Sequence, residues 1–163
     1  MAARVAAYIG IGANLGDARA QVLRTLTLLE HLPDSRLHAR SSLFRTAPVD
    51  AGGDDYINAV ACLQTGLAAQ ALLEQLQAIE LACGRERPYV NAPRTLDLDI
   101  LLYGSGAIAT ATLTVPHPRL TQRAFALIPL LQLDPFVMIP GHGAAHEFVP
   151  GVAGQMIEKL QDG

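Results

Sequence analysis

The chain has 163 residues, of which 50% are hydrophobic and only 17% are charged, and its net charge is −3. This length suits one domain with a full apolar core, and the composition excludes a disordered or collagen-like chain. The acidic balance argues against a protein that holds nucleic acid by its phosphates. Two cysteines are too few for a disulfide framework, which indicates a reducing compartment.

Neither a secretion signal nor a membrane span is predicted. Residues 1–7 lack the long apolar segment of a signal peptide. The uncharged stretch at residues 100–118 is interrupted by Gly, Ser, Thr, His and Pro, which makes it a poor membrane span. We therefore expect a cytoplasmic protein that forms a single domain over residues 1–163.

The first half of the chain predicts a strand, a helix and two more strands. Residues 6–11 alternate small and aliphatic side chains and lead into a turn, where Asp17 can cap the following helix. Residues 37–44 and 56–65 have the alternation and the apolar content of strands. Residues 45–55 contain Pro, paired Gly and acidic residues and are expected to form a loop.

The second half predicts a helix, a strand and several short elements. Apolar side chains recur at helical spacing from Leu72 to Cys83, and residues 95–103 alternate as a strand. Between them, residues 85–93 are rich in charge and proline, which predicts an irregular loop. The remaining elements are a short strand and two helices, over residues 113–115, 119–131 and 152–160.

The order strand, helix, two strands, helix, strand is typical of an α+β fold. A ferredoxin-like antiparallel sheet with two helices on one face accommodates this order, and the C-terminal elements are additions to it. Irregular loops then lie along one end of the sheet, where we expect the functional residues.

Two aspartates in the strand at residues 95–103 are the sharpest local feature. Successive strand side chains point to opposite faces, so Asp97 and Asp99 share one face, with Cα atoms about 6.5–7 Å apart. Carboxylates this close repel each other and are tolerated best beside a hard divalent cation such as Mg²⁺. The alternative is a solvated outer face of an amphipathic strand. The opposite, core-facing side would hold Leu96, Leu98, Ile100 and Leu102.

Arginine supplies almost all of the positive charge. Eleven of the twelve basic residues are Arg, and the single Lys, Lys159, stands in Glu-Lys-Leu, which excludes a Walker A phosphate loop. Guanidinium groups match phosphate oxygens, although a single exposed Arg is more often only solvated. Those nearest in sequence to the aspartates are Arg85, Arg87, Arg94, Arg119 and Arg123, among which Arg94 and Arg123 are the strongest candidates for phosphate contacts.

Polar and aromatic residues elsewhere admit two interpretations. His117 lies between two prolines and could either donate to a phosphate or serve a structural role. Tyr56 and Asn58 share one face of a strand, and with Phe125 they could form a flat aromatic slot with an amide at its edge. Packing of these aromatic rings in the core is the alternative.

Longer motifs are distributed along the chain. They are Ile-Gly-Ile-Gly-Ala-Asn-Leu-Gly (9–16), Tyr-Ile-Asn (56–58), Gly-Arg-x-Arg (84–87), Pro-Arg-Thr-Leu-Asp-Leu-Asp-Ile-Leu-Leu-Tyr-Gly (93–104) and Val-Pro-His-Pro-Arg-x-x-x-Arg-x-Phe (115–125). With these motifs in the same order, the chain resembles the 6-hydroxymethyl-7,8-dihydropterin pyrophosphokinases of folate synthesis over nearly its whole length. The aspartate motif is the most specific part of this resemblance.

The resemblance implies transfer of the terminal pyrophosphoryl group of ATP to the hydroxymethyl oxygen of the pterin, with release of AMP. It implies that Asp97 and Asp99 hold two Mg²⁺ ions that bridge the ATP phosphates. Arg94 and Arg123 would steady the transferred group, and His117 would contact phosphate. Such a reaction needs alignment and charge neutralisation more than covalent chemistry.

The resemblance also implies the substrate contacts. Residues 85–93 would form a loop that closes over ATP, and the expected partners of a monomeric enzyme are its two small-molecule substrates, without nucleic acid or membrane. The predicted ATP contacts are Gln77, Glu80, Arg85, Arg87 and Ile100. The predicted pterin contacts are Thr46, Val49, Tyr56, Asn58 and Phe125, with residues 46–49 contributing backbone groups.

The chain departs from the family pattern in the loop at residues 85–93. Family members often carry Arg-Trp-Gly before the Pro-Arg, whereas this chain has Val-Asn-Ala at residues 90–92, a slightly shorter loop and no Trp. ATP contacts and loop closure therefore do not transfer to that stretch. No general base is evident, and two routes stay open for the proton: metal-lowered acidity of the hydroxymethyl group and proton loss to Asp97.

Two rival functions use the same features. A metal-dependent nucleotidyl- or glycosyltransferase could employ the same Asp-x-Asp pair and would differ in its products. A non-enzymatic ferredoxin-like regulatory or RNA-binding module would bind its ligand without magnesium dependence, and the acidic net charge argues against it.

Overall fold

The computed structural model describes residues 4–14, 17–47, 55–83 and 96–161. Its first elements are strand β1 (Val5–Ala13), helix α1 (Ala18–Leu29), and strands β2 (Ser35–Arg40), β3 (Phe44–Thr46) and β4 (Tyr56–Thr65). They are followed by helix α2 (Ala69–Ala82) and strand β5 (Asp97–Tyr103).

The C-terminal part adds shorter elements. Strands β6 (Ile108–Ala109) and β7 (Thr114–Val115) pair with each other, and a first 3-10 helix (Leu120–Gln122) precedes helix α3 (Ala124–Leu133). After α3 come strands β8 (Met138–Ile139) and β9 (Gly143–Ala144), a second 3-10 helix (Ala145–Val152) and strand β10 (Ile157–Lys159). In the part of the chain that the structure describes, no helix is both long and apolar enough to cross a membrane.

One antiparallel sheet has the strand order β10-β3-β4-β1-β5, and β2 pairs with another stretch of β4. Strand β1 lies between β4 and β5 and is antiparallel to both. Two strand-helix-strand units interleaved in this way form a ferredoxin-like sheet, so the predicted α+β fold is confirmed. Strand β4 also has the predicted bounds, residues 56–65.

Apolar side chains on both faces of the sheet build two cores. On one face, Ile9 and Ile11 of β1 pack with α1 and α2, which confirms the prediction of two helices there. On the other face, Tyr8 of β1 and Val60 of β4 pack with α3. Because the side chains of β1 alternate between two cores, a shift of its register by one residue would exchange the two sets, and the register is therefore strongly specified.

The alternation of side chains between the two faces of the sheet is reversed partway along strand β5. In its pairing with β1, Ile100 lies opposite Ile9 and Leu102 lies opposite Tyr8, so Leu101 between them has no partner residue in β1. A residue inserted in this way is a β-bulge, and it reverses the faces that the following side chains occupy. Ile100 therefore lies in the core with α1 and α2, whereas Leu101 and Leu102 lie in the core with α3. The prediction that Leu102 shares the face of Ile100 is wrong for this reason.

The strand predicted at residues 37–44 is divided into β2 and β3. Between them, Ser41 donates its backbone N–H to the carbonyl of Val60 (2.8 Å), and its Oγ accepts the N–H of Val60 (2.8 Å). Because the hydroxyl takes the place of a backbone carbonyl, the regular ladder stops here. Arg45 and Thr46, expected in a loop, belong to β3 instead.

Two helices expected near the C-terminus take other forms. The helix predicted over residues 119–131 is interrupted at Arg123, whose backbone is extended (φ −125°, ψ 116°), and α3 begins only after it. The helix predicted over residues 152–160 is wrong, because this segment adds β10 to the edge of β3, with Ile157 opposite Thr46. An unpaired strand edge offers backbone hydrogen bonds that a short segment from elsewhere can satisfy.

The N-cap of α1 gives a test of local stability. Asp17 Oδ1 accepts a hydrogen bond from the N–H of Ala20 (3.1 Å), as the sequence predicted. We expect Asp17→Ala to lower the free energy of unfolding by about 1 kcal/mol, because the first helical turn loses this acceptor. Urea unfolding measures the change, and Asp17→Asn, which keeps an acceptor oxygen, is the matched control. Equal stability of Asp17→Ala and the wild type would contradict the cap.

Candidate functional site

A cavity of about 290 Å³ opens on the α3 side of the sheet. Its floor is formed by residues of β1, β4 and β5, and β3 contributes at one side. The segment at residues 117–126, which leads into α3, lines the other side. A concave site of this size can hold a small heterocycle.

Asp97 and Asp99 both line the cavity from β5. In the register between β5 and β1 they lie opposite Gly12 and Gly10 respectively. Since these glycines carry no side chain, the Leu101 side chain and the Asn58 amide can pack directly over the backbone beside the carboxylates. The Asp99 side chain is 49% exposed, so a ligand in the cavity can reach it although it stands in a sheet.

His117 lies near Asp99, and its hydrogen bonds indicate which ring nitrogen carries the proton. The backbone N–H of Arg119 donates to His117 Nδ1 (3.1 Å), so the neutral ring carries its proton on Nε2. His117 Nε2 lies 4.0 Å from Asp99 Oδ1. The backbone N–H of His117 also donates to the carbonyl of Leu101 (3.0 Å), which ties this segment to β5.

The charge state of His117 follows from its surroundings. Burial of the ring lowers its pKa below the ordinary value, and the neighbouring Arg123 and Arg119 lower the pKa further. Asp99 acts in the opposite direction and raises the pKa, but the net shift is downward. His117 is therefore neutral at pH 7 and offers an Nε2–H donor to the cavity.

Thr46 and Asn58 form a buried polar pair on the other side of the cavity. Asn58 Nδ2 donates to Thr46 Oγ1 (2.7 Å), and this bond fixes the orientation of the amide. A Cβ at Gly12 would lie only 3.0 Å from Asn58 Oδ1, so glycine leaves the room that the amide occupies. Tyr56, two residues before Asn58, lines the cavity beside it. A ring and an oriented amide of this kind can recognise the edge of a flat heterocycle.

Arg123 and Phe125 line the cavity from the irregular start of α3. The guanidinium carbon Cζ of Arg123 lies 5.3 Å from the centroid of the Phe125 ring, within the range of a cation–π contact. Arg119 lines the cavity from the same segment. This side is therefore cationic, whereas the β5 side carries two carboxylates, and a polyanion with bound cations would meet complementary charge on both.

The structure brings eight of the residues with a predicted catalytic or binding role to this one cavity. Sequence reasoning missed Gly10 and Gly12, although the signal was present in their alternation along a strand. It also missed Leu101, although alternation along β5 places that side chain on the same face as Asp97 and Asp99. The eight residues are Thr46, Tyr56, Asn58, Asp97, Asp99, His117, Arg123 and Phe125.

Three predicted ATP contacts lie outside the cavity lining. Gln77 is exposed on α2, and Ile100 is buried in the core with α1 and α2. Glu80 is buried, with 5% of its surface exposed, and its Oε2 accepts the backbone N–H of Leu98 (2.9 Å), between the two aspartates of β5. The contacts of these residues with ATP stay predictions.

The remaining predicted positions are Val49, Arg85, Arg87 and Arg94, which lie outside the described residues, as does the loop at residues 85–93. Their roles in binding ATP, the pterin or the transferred group likewise stay predictions.

The carboxylates of the cavity suit a magnesium ion that shares its ligands with a substrate better than a metal ion enclosed by protein side chains alone. Within the described ranges, no group of three or more His, Cys, Asp or Glu side chains could enclose a metal ion. Magnesium usually takes one or two carboxylates from the protein and completes its octahedron with water and substrate phosphates. Asp97 and Asp99 match that requirement, since they stand together and border open space.

Comparisons with known proteins point to one family. The family model described as 7,8-dihydro-6-hydroxymethylpterin-pyrophosphokinase (HPPK) matches residues 8–135. A 2-amino-4-hydroxy-6-hydroxymethyldihydropteridine pyrophosphokinase of Pseudomonas aeruginosa is 41% identical over 154 residues, which cover 94% of this chain and 95% of the relative. The protein of the same name in Haemophilus influenzae is 36% identical, with 96% of this chain and 98% of the relative covered.

Solved structures agree in fold. A crystal structure of wild-type Plasmodium falciparum HPPK-DHPS superposes with a TM-score of 0.71 over 90% of this chain, at 12% identity. This chain spans only 44% of that longer chain. At such low identity the likeness concerns the fold alone, whereas the family model and the bacterial relatives cover most of the sequence. The chain therefore belongs to the 7,8-dihydro-6-hydroxymethylpterin-pyrophosphokinase family.

Proposed function

We infer that this chain catalyses the ATP-dependent transfer of a pyrophosphoryl group to 6-hydroxymethyl-7,8-dihydropterin, a step of folate biosynthesis. The products are AMP and the pterin diphosphate. One observation carries the inference: a single cavity joins an aromatic and amide end, suited to a flat heterocycle, to an end with paired carboxylates and arginines, suited to polyphosphate. Membership of the family supports the same activity.

The pterin is bound at the aromatic end of the cavity. Tyr56 and Phe125 enclose its ring, and Asn58 hydrogen-bonds its polar edge. The bond from Asn58 to the Thr46 hydroxyl fixes the amide before the substrate arrives, so less orientational freedom is lost on binding. This end sets the position of the hydroxymethyl oxygen relative to the phosphates, and alignment of that kind is a large part of such catalysis.

The phosphates of ATP are bound at the charged end. Asp97 and Asp99 are the residues that would hold magnesium, and two ions are part of the proposal. When bound, magnesium neutralises phosphate charge and polarises the transferred group. Arg123 stabilises the charge that develops on that group, and Arg94 is proposed to assist it. The neutral His117 donates its Nε2–H to a phosphate oxygen.

The proton of the hydroxymethyl group leaves by a route that excludes His117 as its acceptor. In the tautomer that the hydrogen bond from Arg119 favours, Nδ1 accepts the Arg119 N–H and Nε2 carries the proton. His117 therefore has no nitrogen available as a base. Loss of the proton to Asp97, or direct loss to solvent after the acidity of the hydroxyl is raised, are the two routes that remain.

Several finer statements belong to the same proposal. We propose that residues 1–163 form one catalytic domain that acts as a monomer in the cytoplasm. We also propose that Gln77, Glu80, Arg85, Arg87 and Ile100 contribute to ATP binding, and that Val49 contributes a backbone contact to the pterin.

The nucleotide product tests the proposed function directly. With Mg-ATP and 6-hydroxymethyl-7,8-dihydropterin, we expect AMP and pterin diphosphate in equal amounts, because the group transferred is pyrophosphate. Anion-exchange chromatography and ³¹P NMR identify both products. Formation of ADP, or release of pyrophosphate with transfer of the nucleotide, would reject this function in favour of a kinase or a nucleotidyltransferase.

Neutralising either carboxylate tests the metal assignment. We expect Asp97→Asn and Asp99→Asn each to reduce magnesium-dependent kcat by at least about a hundredfold, since each removes an anionic ligand from the proposed site. The fold should survive, because the change also relieves repulsion between like charges. Turnover is measured across a magnesium titration, with urea unfolding as the control for folding. Near wild-type activity of either variant would refute the metal role.

Two substitutions at the start of α3 separate chemistry from binding. We expect Arg123→Ala to lower kcat by about a hundredfold with a small change in pterin affinity, because its partner charge grows in the transition state. Phe125→Ala should instead weaken pterin binding, since a stacking face is lost. Steady-state kinetics and pterin fluorescence titration provide the two measurements. Equal effects of both variants on pterin affinity would contradict this division of roles.

A further inference from the structure

The backbone around Arg123 needs support from outside its own segment. Arg123 is extended and separates the first 3-10 helix from α3. Its carbonyl accepts the N–H groups of Ala126 (3.2 Å) and Leu127 (2.9 Å), but its side chain makes no capping bond to the start of α3. The earliest N–H groups of a helix have no partner within that helix. For Ala124, the first residue of α3, the acceptor must come from elsewhere.

Gln155 supplies that acceptor from a distant part of the chain. Its Oε1 accepts the backbone N–H of Ala124 (2.8 Å), and its Nε2 donates to the carbonyl of Gln122 (2.7 Å). One side-chain amide thus bonds to the residues immediately before and after Arg123. We refer to this pair of hydrogen bonds as the Gln155 bridge.

Gln155 is itself held on both sides. Its backbone N–H donates to the carbonyl of Val152 (3.0 Å), at the end of the second 3-10 helix. Two residues later the chain enters β10, where Ile157 pairs with Thr46 of β3. The bridge therefore connects the backbone at Arg123 with the strand that orients Asn58 through Thr46. Gln155 also lies beyond residues 8–135, the segment that the family model matches.

We propose that Gln155 is a positioning residue for Arg123, which it holds at the cavity by fixing the backbone on either side. This inference rests on the proposed function, in which Arg123 stabilises the transferred group. Without the bridge, Ala124 loses its acceptor and the junction between the two helices is free to change its dihedral angles. Because the guanidinium lies at the end of a long side chain, a small rotation at this junction displaces it by a large distance.

The main test is Gln155→Met, which keeps the length of the side chain and removes both hydrogen bonds. We expect kcat to fall by about tenfold or more, since misplacement of a catalytic group by about 1 Å can cost about a hundredfold in rate. The dissociation constant of the pterin, measured by fluorescence, should change by less than about threefold, because Tyr56 and Asn58 lie on β4, which the Gln155 bridge does not contact.

A matched control is available at the opposite end of α3, the helix whose first residue Gln155 contacts. Gln132 of α3 makes a similar pair of bonds: its Oε1 accepts the N–H of Ser42 (2.7 Å), and its Nε2 donates to Ser42 Oγ (2.8 Å). Gln132 does not line the cavity. Gln132→Met therefore removes an equivalent pair of amide hydrogen bonds at the C-terminal end of α3, and we expect it to leave kcat within about twofold of the wild type.

A double variant tests whether Gln155 acts through Arg123. If it does, adding Gln155→Met to Arg123→Ala should cause no further loss of kcat, because the group being positioned is already absent. Independent losses that multiply would overturn the proposal. If Gln155→Met fails to fold, Gln155→Glu serves instead, since it keeps the acceptor for Ala124 and loses only the donor to Gln122. Its kcat should then lie below that of the wild type.

The outcomes separate this inference from the function on which it rests. A wild type that forms no AMP rejects the proposed function, and the positioning role with it. An active wild type together with an equally active, folded Gln155→Met overturns the positioning role alone. A similar fall of kcat in Gln132→Met also overturns it, because the effect would then reflect general loosening of α3.

Discussion

The antiparallel register between β1 and β5 is the constraint on which the site depends. It places Gly12 opposite Asp97 and Gly10 opposite Asp99, so two carboxylates stand in a sheet beside backbone that carries no side chains. The register is held by packing on both faces, since β1 alternates between two cores. The bulge at Leu101 follows the aspartates directly. It lets the first part of β5 turn acidic side chains to the cavity while the later part contributes leucines to the core with α3.

The cationic side of the cavity depends on backbone that is not regular. His117, Arg119 and Arg123 lie within seven residues of one another, on a segment that passes from β7 through a short 3-10 helix to α3. A continuous helix from residue 119 would place Arg119 and Arg123 one turn apart on a single face. The extended backbone at Arg123 breaks that repeat, and Arg119 and Arg123 nevertheless both line the cavity with the aspartates. Irregular backbone is thus part of how the charges are arranged.

Sequence patterns predicted those structural features that depend only on residues close together in the chain. The bounds of β4, the cap at Asp17 and the shared face of the two aspartates follow from periodicity and local hydrogen bonding. The break at Ser41, the bulge at Leu101 and the interruption at Arg123 do not, because each depends on a partner remote in sequence. Ser41 bonds to Val60, the bulge exists only relative to β1, and the start of α3 is bonded by Gln155. Gly10 and Gly12 alternate visibly along β1, but their position opposite the aspartates depends on the pairing with β5.

The C-terminal segment illustrates how support for a site can lie away from its chemistry. Strand β10 extends the sheet beyond β3, which carries Thr46, and Gln155 just before it bonds to the backbone around Arg123. An ion pair between Arg45 and Glu158 (2.7 Å) also joins β3 to β10, but both side chains are about half exposed and such pairs contribute only about 0–1 kcal/mol. Backbone pairing and the amide bonds of Gln155 therefore carry most of the connection. One short segment therefore supports β3 on the pterin side of the cavity and the backbone at Arg123 on the phosphate side.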